Sequence, residues 1–400
     1  MPLPLNSKKK VLIVAGESSG DLHGGNLLHA AAQYDPDLCF FGVGGERMRQ
    51  AGCQILFPSD ELSVMGLVEV FRQLPRIIKR FRQLKQLLHG SEKPDLLVLI
   101  DFPDFNLRLA KVAKKAGVPV LYYISPKVWA WRSGRIKTIG KRVDRLALIF
   151  PFEPELFAAE PVEAVYVGNP LLDEFKNQQP DGALLPKLGI ESHTPVVGIF
   201  SGSRNSELKY IFATLLESSE KIYQQKPGVR FLLPVAPSLD RAFFEQKIAE
   251  SHLPVDIVNE NIYEVAQSCD AILSVSGTVT LQIALVQTPM VILYKAAPLT
   301  YAVGSRLVRV DHFGLVNIVA GKRVVQELVQ DEADPDTLSS EILKILDDKE
   351  YADKIKRDLH RVCELLGEPG CSGKVAAMAS EMSRGNLHSP SYRKGQGENG

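Results

Sequence analysis

Residues 271–294 read AILSVSGTVTLQIALVQTPMVILY and carry no charged side chain. A stretch of that length could be a transmembrane helix, so its reading decides the fold. Ser276-Gly277-Thr278, Gln282, Gln287 and Thr288-Pro289 interrupt it. Such punctuation breaks the stretch into strand, turn, short helix, turn and strand, all buried in a sheet protein. The same rhythm runs outward along the chain. Val11–Ala15 ends at Gly16 and a helical pattern starts near Asp21; Phe40–Val43 ends at Gly44-Gly45, Leu96–Ile100 at Asp101, and Val118–Tyr123 at Ser125-Pro126. A polar, proline-containing stretch, 170–186, reads as a linker. The rhythm then restarts, with Val196–Phe200 leading to Ser201-Gly202-Ser203-Arg204 and Phe231–Val235 to Ala236-Pro237. Continuous apolar strands alternating with helices indicate parallel sheets covered on both faces. The expectation is an α/β chain of two doubly wound, Rossmann-like halves, 1–174 and 175–382. Residues 336–366 look helical, the last helices are candidates for packing back on the first half, and 383–400 read as a disordered polar tail.

Composition agrees with a soluble protein of two full-sized domains: 400 residues, 45% hydrophobic and 24% charged. Lys plus Arg and Asp plus Glu are 47 each, which argues against bulk electrostatic binding of nucleic acid. The 5 cysteines form no CxxC pair and the 8 histidines no HExxH. A disulfide scaffold and a structural zinc site are therefore not expected, nor any metal or cofactor, and a reduced cytosolic setting is the default. The apolar run Val11–Ala15, behind three lysines, is too short for a signal-peptide core.

In open α/β sheets, ligands bind beyond the carboxyl ends of strands, so the residues after each strand are the candidates. Gly16-Glu17-Ser18-Ser19-Gly20-Asp21 is small enough for close backbone approach. It is not a GxGxxG fingerprint, and no acid is placed for a dinucleotide ribose. Asp101-Phe102-Pro103-Asp104-Phe105-Asn106 puts Asp101 at a strand end, where partial desolvation suits a general base. Asp104, just before the next helix, reads as its cap. Tyr123–Arg132 holds both tryptophans of the chain, Trp129 and Trp131, with Lys127 and Arg132 on either side. Apolar faces edged by cations suit sugars, acyl chains or phosphates. Ser201-Gly202-Ser203-Arg204-Asn205-Ser206-Glu207 has hydroxyls, a glycine turn and an arginine at a helix start, as an anion such as pyrophosphate requires. It is not a P-loop. Ser276-Gly277-Thr278, with Gln282 one turn on, is a second hydroxyl-rich turn.

From Val70 to Leu88, apolar residues recur at helical spacing (70, 71, 74, 77, 78, 81, 84, 87, 88), with Pro75 read as a first-turn position. Arg72, Arg76, Lys79, Arg80, Arg82 and Lys85 form the other face, with no acid between Glu69 and Glu92. Together with Val64-Met65-Gly66-Leu67-Val68, this is a candidate for lying on an anionic membrane. A core-packed helix with a solvated cationic face is the alternative.

With these residues in hand, the chain resembles the lipid-A-disaccharide synthase family of glycosyltransferases. The likeness runs in the family's order over 10–375: AGESSGD (15–21), GVGGERM (42–48), VMGLVEV (64–70), DFPDFN (101–106), YYISPKVWAWR (122–132), FPFE (150–153), YVGNPLLDE (166–174), SGSRNSE (201–207), SGTVTLQ (276–282), PMVILYK (289–295) and LVNIVAGKRVVQELVQ (315–330). The resemblance implies two GT-B domains facing across a crevice. It implies transfer of 2,3-diacylglucosamine from its UDP derivative to 2,3-diacylglucosamine 1-phosphate (lipid X), with inversion and without a required metal. On the donor side it implies Ser201, Gly202, Ser203, Arg204, Glu207, Ser276, Gly277, Thr278, Gln282 and Asn317. On the acceptor and lipid side it implies Glu17, Ser19, Gly20, Asp21, Met65, Val68, Asn106, Trp129 and Arg132, with Asp101 as the base. Expected partners are the two sugar lipids, the anionic cytoplasmic face of the inner membrane through Val64–Leu88, and a second copy as homodimer. The family usually has His at Asn169 and Glu at Gln282; Gln282 hydrogen-bonds, but without charge assistance. Two rivals stay open on the sequence. One is another sugar-nucleotide enzyme of this fold, an epimerase or a soluble-acceptor transferase. The other is a nucleotide-binding membrane-surface protein without catalysis.

Overall fold

The computed structural model describes residues 8–62, 67–202, 205–236, 239–296, 301 and 311–386. The chain divides into two compact units. One takes the chain through Pro170 together with the segment from Pro369 onward; the other is Leu171–Glu368.

The first unit is built on seven parallel strands among the described residues: β1 (Lys9–Ala15), β2 (Leu38–Gly44), β3 (Gln54–Pro58), β4 (Leu96–Ile100), β5 (Val120–Tyr123), β6 (Arg145–Leu148) and β7 (Glu163–Tyr166). Their order is β3-β2-β1-β4-β5-β6-β7. Residues alternate across a strand, and both faces of β1 are covered. Val11, Ile13 and Ala15 pack with Leu27 and Ala31 of the helix Ser18–Tyr34 and with Val375 and Met378 of the helix Cys371–Ser383. Leu12 and Val14 pack with Leu84 and Leu88 of the helix Leu67–His89 and with Leu109 and Ala113 of the helix Pro103–Lys115. Each such leucine contributes roughly 1.5–3 kcal/mol by leaving water. The Cys371–Ser383 helix is also tied down by charge. Asp35 accepts from Ser380 Oγ at 2.6 Å and Arg384 Nη2 at 2.7 Å. The buried Arg145 pairs with Glu163 and with Glu381, each at 2.7 Å.

The second unit has six parallel strands among the described residues: β8 (Val196–Phe200), β9 (Arg230–Pro234), β10 (Val255–Val258), β11 (Ala271–Val275), β12 (Met290–Tyr294) and β13 (Glu327–Val329). Their order is β10-β9-β8-β11-β12-β13. The uncharged stretch 271–294 is β11, a short helix Val279–Leu285, and β12. Among the described residues no helix is long and apolar enough to cross a membrane.

Three local expectations are corrected. Residues 170–186 are no plain linker, because Pro170–Asn177 and Leu184–Lys187 are helical. Buried Glu264 accepts from the amides of Asp181, Gly182 and Leu184 at 2.8, 3.3 and 3.2 Å, which binds this polar stretch to the second unit. Pro75 lies inside the helix Leu67–His89 rather than in its first turn. On that helix Arg80 leaves the cationic face: it bonds Glu61 at 2.7 and 2.9 Å and lies 4.8 Å from the Phe57 ring centre. The expected tail from 387 on lies outside the described residues.

Candidate active site

The order of the strands, invisible in the sequence, selects among the candidate loops. Each sheet reverses its winding once, between β1 and β4 in the first unit and between β8 and β11 in the second. Loops at such a reversal diverge and leave room for a ligand. The loops there are Gly16–Asp21 with Asp101–Asn106, and Ser201 onward with Ser276–Thr278.

At the first reversal the backbone itself is strained. Asp101 and Phe102 take φ of 43° and 48°, Ile124 after β5 takes 67°, and Arg132 takes 55°. Left-handed conformations cost non-glycine residues on the order of 1–3 kcal/mol each and persist only where the surroundings enforce them. Here the enforcement is visible. The Asp101 carbonyl accepts from Tyr122 Oη at 2.5 Å and Asn106 Nδ2 at 2.8 Å. Asn106 also donates to the Ile100 carbonyl at 3.1 Å and is fully buried. Its amide nitrogen is thus turned to the carbonyls of the Asp101 turn, while its Oδ1 is buried without a hydrogen-bond partner among the described residues. Burial, and then the negative charge of Glu17, push the Asp101 carboxyl up to about 6. The Phe102 amide and Lys127 act the other way.

Asp104 takes a different part from its expected cap. The helix begins at Pro103 with Phe102 as its N-cap and no side-chain cap bond. The Asp104 carboxylate instead holds Arg135 Nη2, with Arg132 Nη1 at 3.5 Å. Trp131 is 42% exposed and carries the Arg132 guanidinium 4.3 Å from its ring centre. Trp129 is half-buried and edge-on to Phe150 and Phe152, at 6.3 and 5.7 Å between ring centres. Beneath them Glu153, 1% exposed, accepts from the amides of Ile149 and Phe150 at 3.2 and 3.0 Å. Burial raises its carboxyl to about 7. Asn169 is buried and donates to the Ile149 carbonyl at 3.1 Å, so the departure from His falls on a side chain that braces this same turn. Tyr122, Arg135 and Glu153 were not singled out by sequence reasoning, although Tyr122 and Glu153 stand inside recognised motifs.

The glycine loop after β1 divides its labour. A Cβ on Gly16 would lie 2.3 Å from the Phe102 ring, so that space serves the Asp101 turn rather than a ligand. Gly20 is buried, its Cβ position 3.2 Å from the Ala15 Cβ. Asp21 is 7% exposed and accepts from the amides of Gly45, Arg47 and Met48 at 2.6, 3.1 and 3.1 Å. It therefore anchors the start of the helix Glu46–Gln50. Glu17 and Ser19 remain exposed.

At the second reversal, Ser201 is buried with no hydrogen-bond partner for its Oγ among the described residues, and Gly202 follows at φ 85°. A buried hydroxyl without a partner is costly, and here it precedes a helix start. Thr278 is exposed and Gly277 open, whereas Ser276 Oγ donates to the Phe313 carbonyl at 2.7 Å. Gln282 Nε2 lies 3.4 Å from Glu174 Oε1. Asn317, expected on the donor side, is held by the backbone. It is fully buried, donates to the Val325 carbonyl at 2.9 Å and accepts from the amides of Val324 and Val325 at 2.8 and 3.1 Å. Met65, Ser203 and Arg204 lie outside the described residues, as do the side chains of Val68 and Glu207.

Solved structures share this architecture. A putative UDP-N-acetylglucosamine 2-epimerase from Listeria monocytogenes superposes with a TM-score of 0.65 at 14% identity, over 94% of this chain and 97% of that one. The glycotransferase of kitacinnamycin does so at 0.59 and 14%, over 94% and 99%. Two parallel-sheet units of this kind define the GT-B fold. The sequence profile of lipid-A-disaccharide synthetase matches residues 11–381. Lipid-A-disaccharide synthase of Syntrophotalea carbinolica is 54% identical over 376 residues, 94% of this chain and 96% of that protein. The namesake of Geobacter sulfurreducens is 49% identical over 94% and 98%. The chain belongs to the lipid-A-disaccharide synthetase family.

Proposed function

We propose that this protein is an inverting glycosyltransferase. It moves 2,3-diacylglucosamine from UDP-2,3-diacylglucosamine to lipid X, yielding the β-1,6-linked disaccharide 1-phosphate and UDP. The observation that carries the reading is Asp101, recessed in an enforced left-handed turn at a switch point, its carboxyl near 6. A base of that strength is largely ionised at neutral pH and still accepts a proton from the acceptor's 6-hydroxyl as it attacks. The departing UDP needs charge stabilisation as the sugar takes on oxocarbenium character. Arg204 and the turn Ser201–Ser203 supply it, with Gly277 and Thr278 beside the nucleotide. Glu17 and Ser19 border the acceptor, and Met65 and Val68 meet acyl chains. The relatives' shared name supports this over the epimerases, which are alike in fold alone. UDP release measured with and without the diacyl acceptor tests it. Release that ignores the acceptor, or conversion of the donor to an epimer, would overturn the reading.

The same enzyme works at the cytoplasmic face of the inner membrane, held there by Val64–Leu88. Support comes from Leu74 and Ile78, 43% and 41% exposed, among the exposed Arg76, Lys79, Arg82 and Lys85. Each cation near an anionic surface contributes about 1 kcal/mol. Flotation should follow anionic vesicles at low salt and fail at high salt. Equal binding to neutral vesicles at every salt level would remove the electrostatic part.

A further inference from the structure

The basic cluster beside Asp104 is more than helix decoration. Arg132 and Arg135 converge on one carboxylate, which leaves a net positive charge at that point. Both guanidiniums also gather at Trp131, 4.3 and 5.7 Å from its ring centre. Arg135 is largely withdrawn from water, its side chain 14% exposed. A guanidinium has five N–H donors. Among the described residues Arg135 spends one on Asp104, and the other side-chain N–H groups of both arginines have no protein hydrogen-bond partner. Exposed ion pairs contribute little to stability, so folding alone does not explain holding Arg132 at a left-handed φ of 55° for this contact. Asp104 stands one residue into the helix that follows the Asp101 turn, so the cluster lies on the acceptor side of the chemistry.

We infer that Arg132 and Arg135 form the subsite for the acceptor's anomeric phosphate and make the enzyme select a phosphorylated acceptor sugar. The inference rests on the acceptor named above. A phosphate monoester carries about −1.5 to −2 charge at neutral pH, which matches two guanidiniums better than the single Asp104 carboxylate does. The planar forks take its oxygens in paired hydrogen bonds. Asp104 keeps the two arginines converged in the absence of ligand, and Trp131 limits their swing.

The test uses the full-length chain and two acceptors, 2,3-diacylglucosamine 1-phosphate and the same lipid without its phosphate. Transfer and donor-free binding are measured for the parent, Arg132→Ala, Arg135→Ala, the double variant and Arg135→Lys. The parent should prefer the phosphorylated acceptor. Each alanine should erode that preference by roughly 10- to 100-fold, as loss of a charge-assisted hydrogen bond does. Arg135→Lys should restore part of it, and KM for the UDP-sugar should stay within twofold. A damaged fold would depress both acceptors together, so equal losses overturn the subsite, as does a preference that survives in the double variant. A parent that transfers to neither acceptor overturns the proposed function instead. The binding ratio of the two lipids then still decides whether the arginines read phosphate.

Discussion

The end of β4 in the first unit, with that of β5 beside it, and the ends of β8 and β11 in the second face the same requirement, a polypeptide turn that presents polar groups at or next to a switch point. They meet it by opposite means. The second unit turns on glycines, Gly202 and Gly277, at φ of 85° and 155°, where the missing side chain removes the strain. The first unit forces Asp101, Phe102, Ile124 and Arg132 into left-handed backbone and half-buries the Asp101 carboxylate within reach of the Glu17 charge. On the proposed function, glycine turns suffice to receive a fixed anion, whereas the proposed base needs its own side chain, held at a set angle in a place where charge is disfavoured, and the strain is the cost of that placement.

Asp101→Asn should break the contrast most sharply. kcat should fall by about 10²–10⁴-fold, yet the fold should gain stability. Asp101 is raised to about 6 from an ordinary 3.8, so its penalty is absent below pH 3.8 and complete above pH 6. Removing the charge should therefore stabilise the protein by at most about 3 kcal/mol at pH 8 and by less at pH 5. Asparagine also tolerates the left-handed turn. Thermal midpoints at the two pH values give the sign. A crippled Asp104→Asn beside an active Asp101→Asn would move the base to the other carboxylate.

On the glycine side, Arg204→Ala should cost kcat/KM on the order of 10²-fold through lost stabilisation of the leaving diphosphate, with little change in Tm. Parent-level transfer by that variant would leave the second switch point without its cation. A subtler probe is the acid limb of kcat/KM, expected near pH 6 because Asp101 must be ionised to act. Glu17→Gln removes a charge that raises Asp101 and should move the limb to lower pH. A limb that stays put would separate Glu17 from the base. The smallest effect is expected for Gln282→Glu. The new carboxylate would face Glu174 at the present 3.4 Å contact, and half-exposed like charges repel by about 1 kcal/mol or less. Calorimetry showing tighter UDP binding instead would turn Gln282 toward the ribose.

Much of this was legible in residue order. The strand runs and the loops that end them are local, and Asp101 stood out because a charge directly follows five apolar residues. What failed to show were assignments that depend on a distant partner. Asp104 looked like a cap because Arg135, 31 residues on, could not be placed beside it. Asp21 looked like part of a ligand loop because the backbone amides that it binds, those of Gly45 to Met48, belong to another turn. Pro75 looked like a helix start because proline usually is one, and the helix extends through it.

Alternation of apolar runs and helices was enough to specify two parallel α/β halves, and the ordered motifs were enough to specify the family. Both are properties of sequence spacing, since side-chain period and turn chemistry are set over a few residues. The order of strands, the choice of β1/β4 and β8/β11 as candidate ligand ends, the left-handed turn at Asp101 and its raised carboxyl came only with packing. Desolvation and hydrogen-bond satisfaction are set by neighbours in space, and several of these, such as Tyr122 and Glu17 for Asp101, lie tens of residues away along the chain.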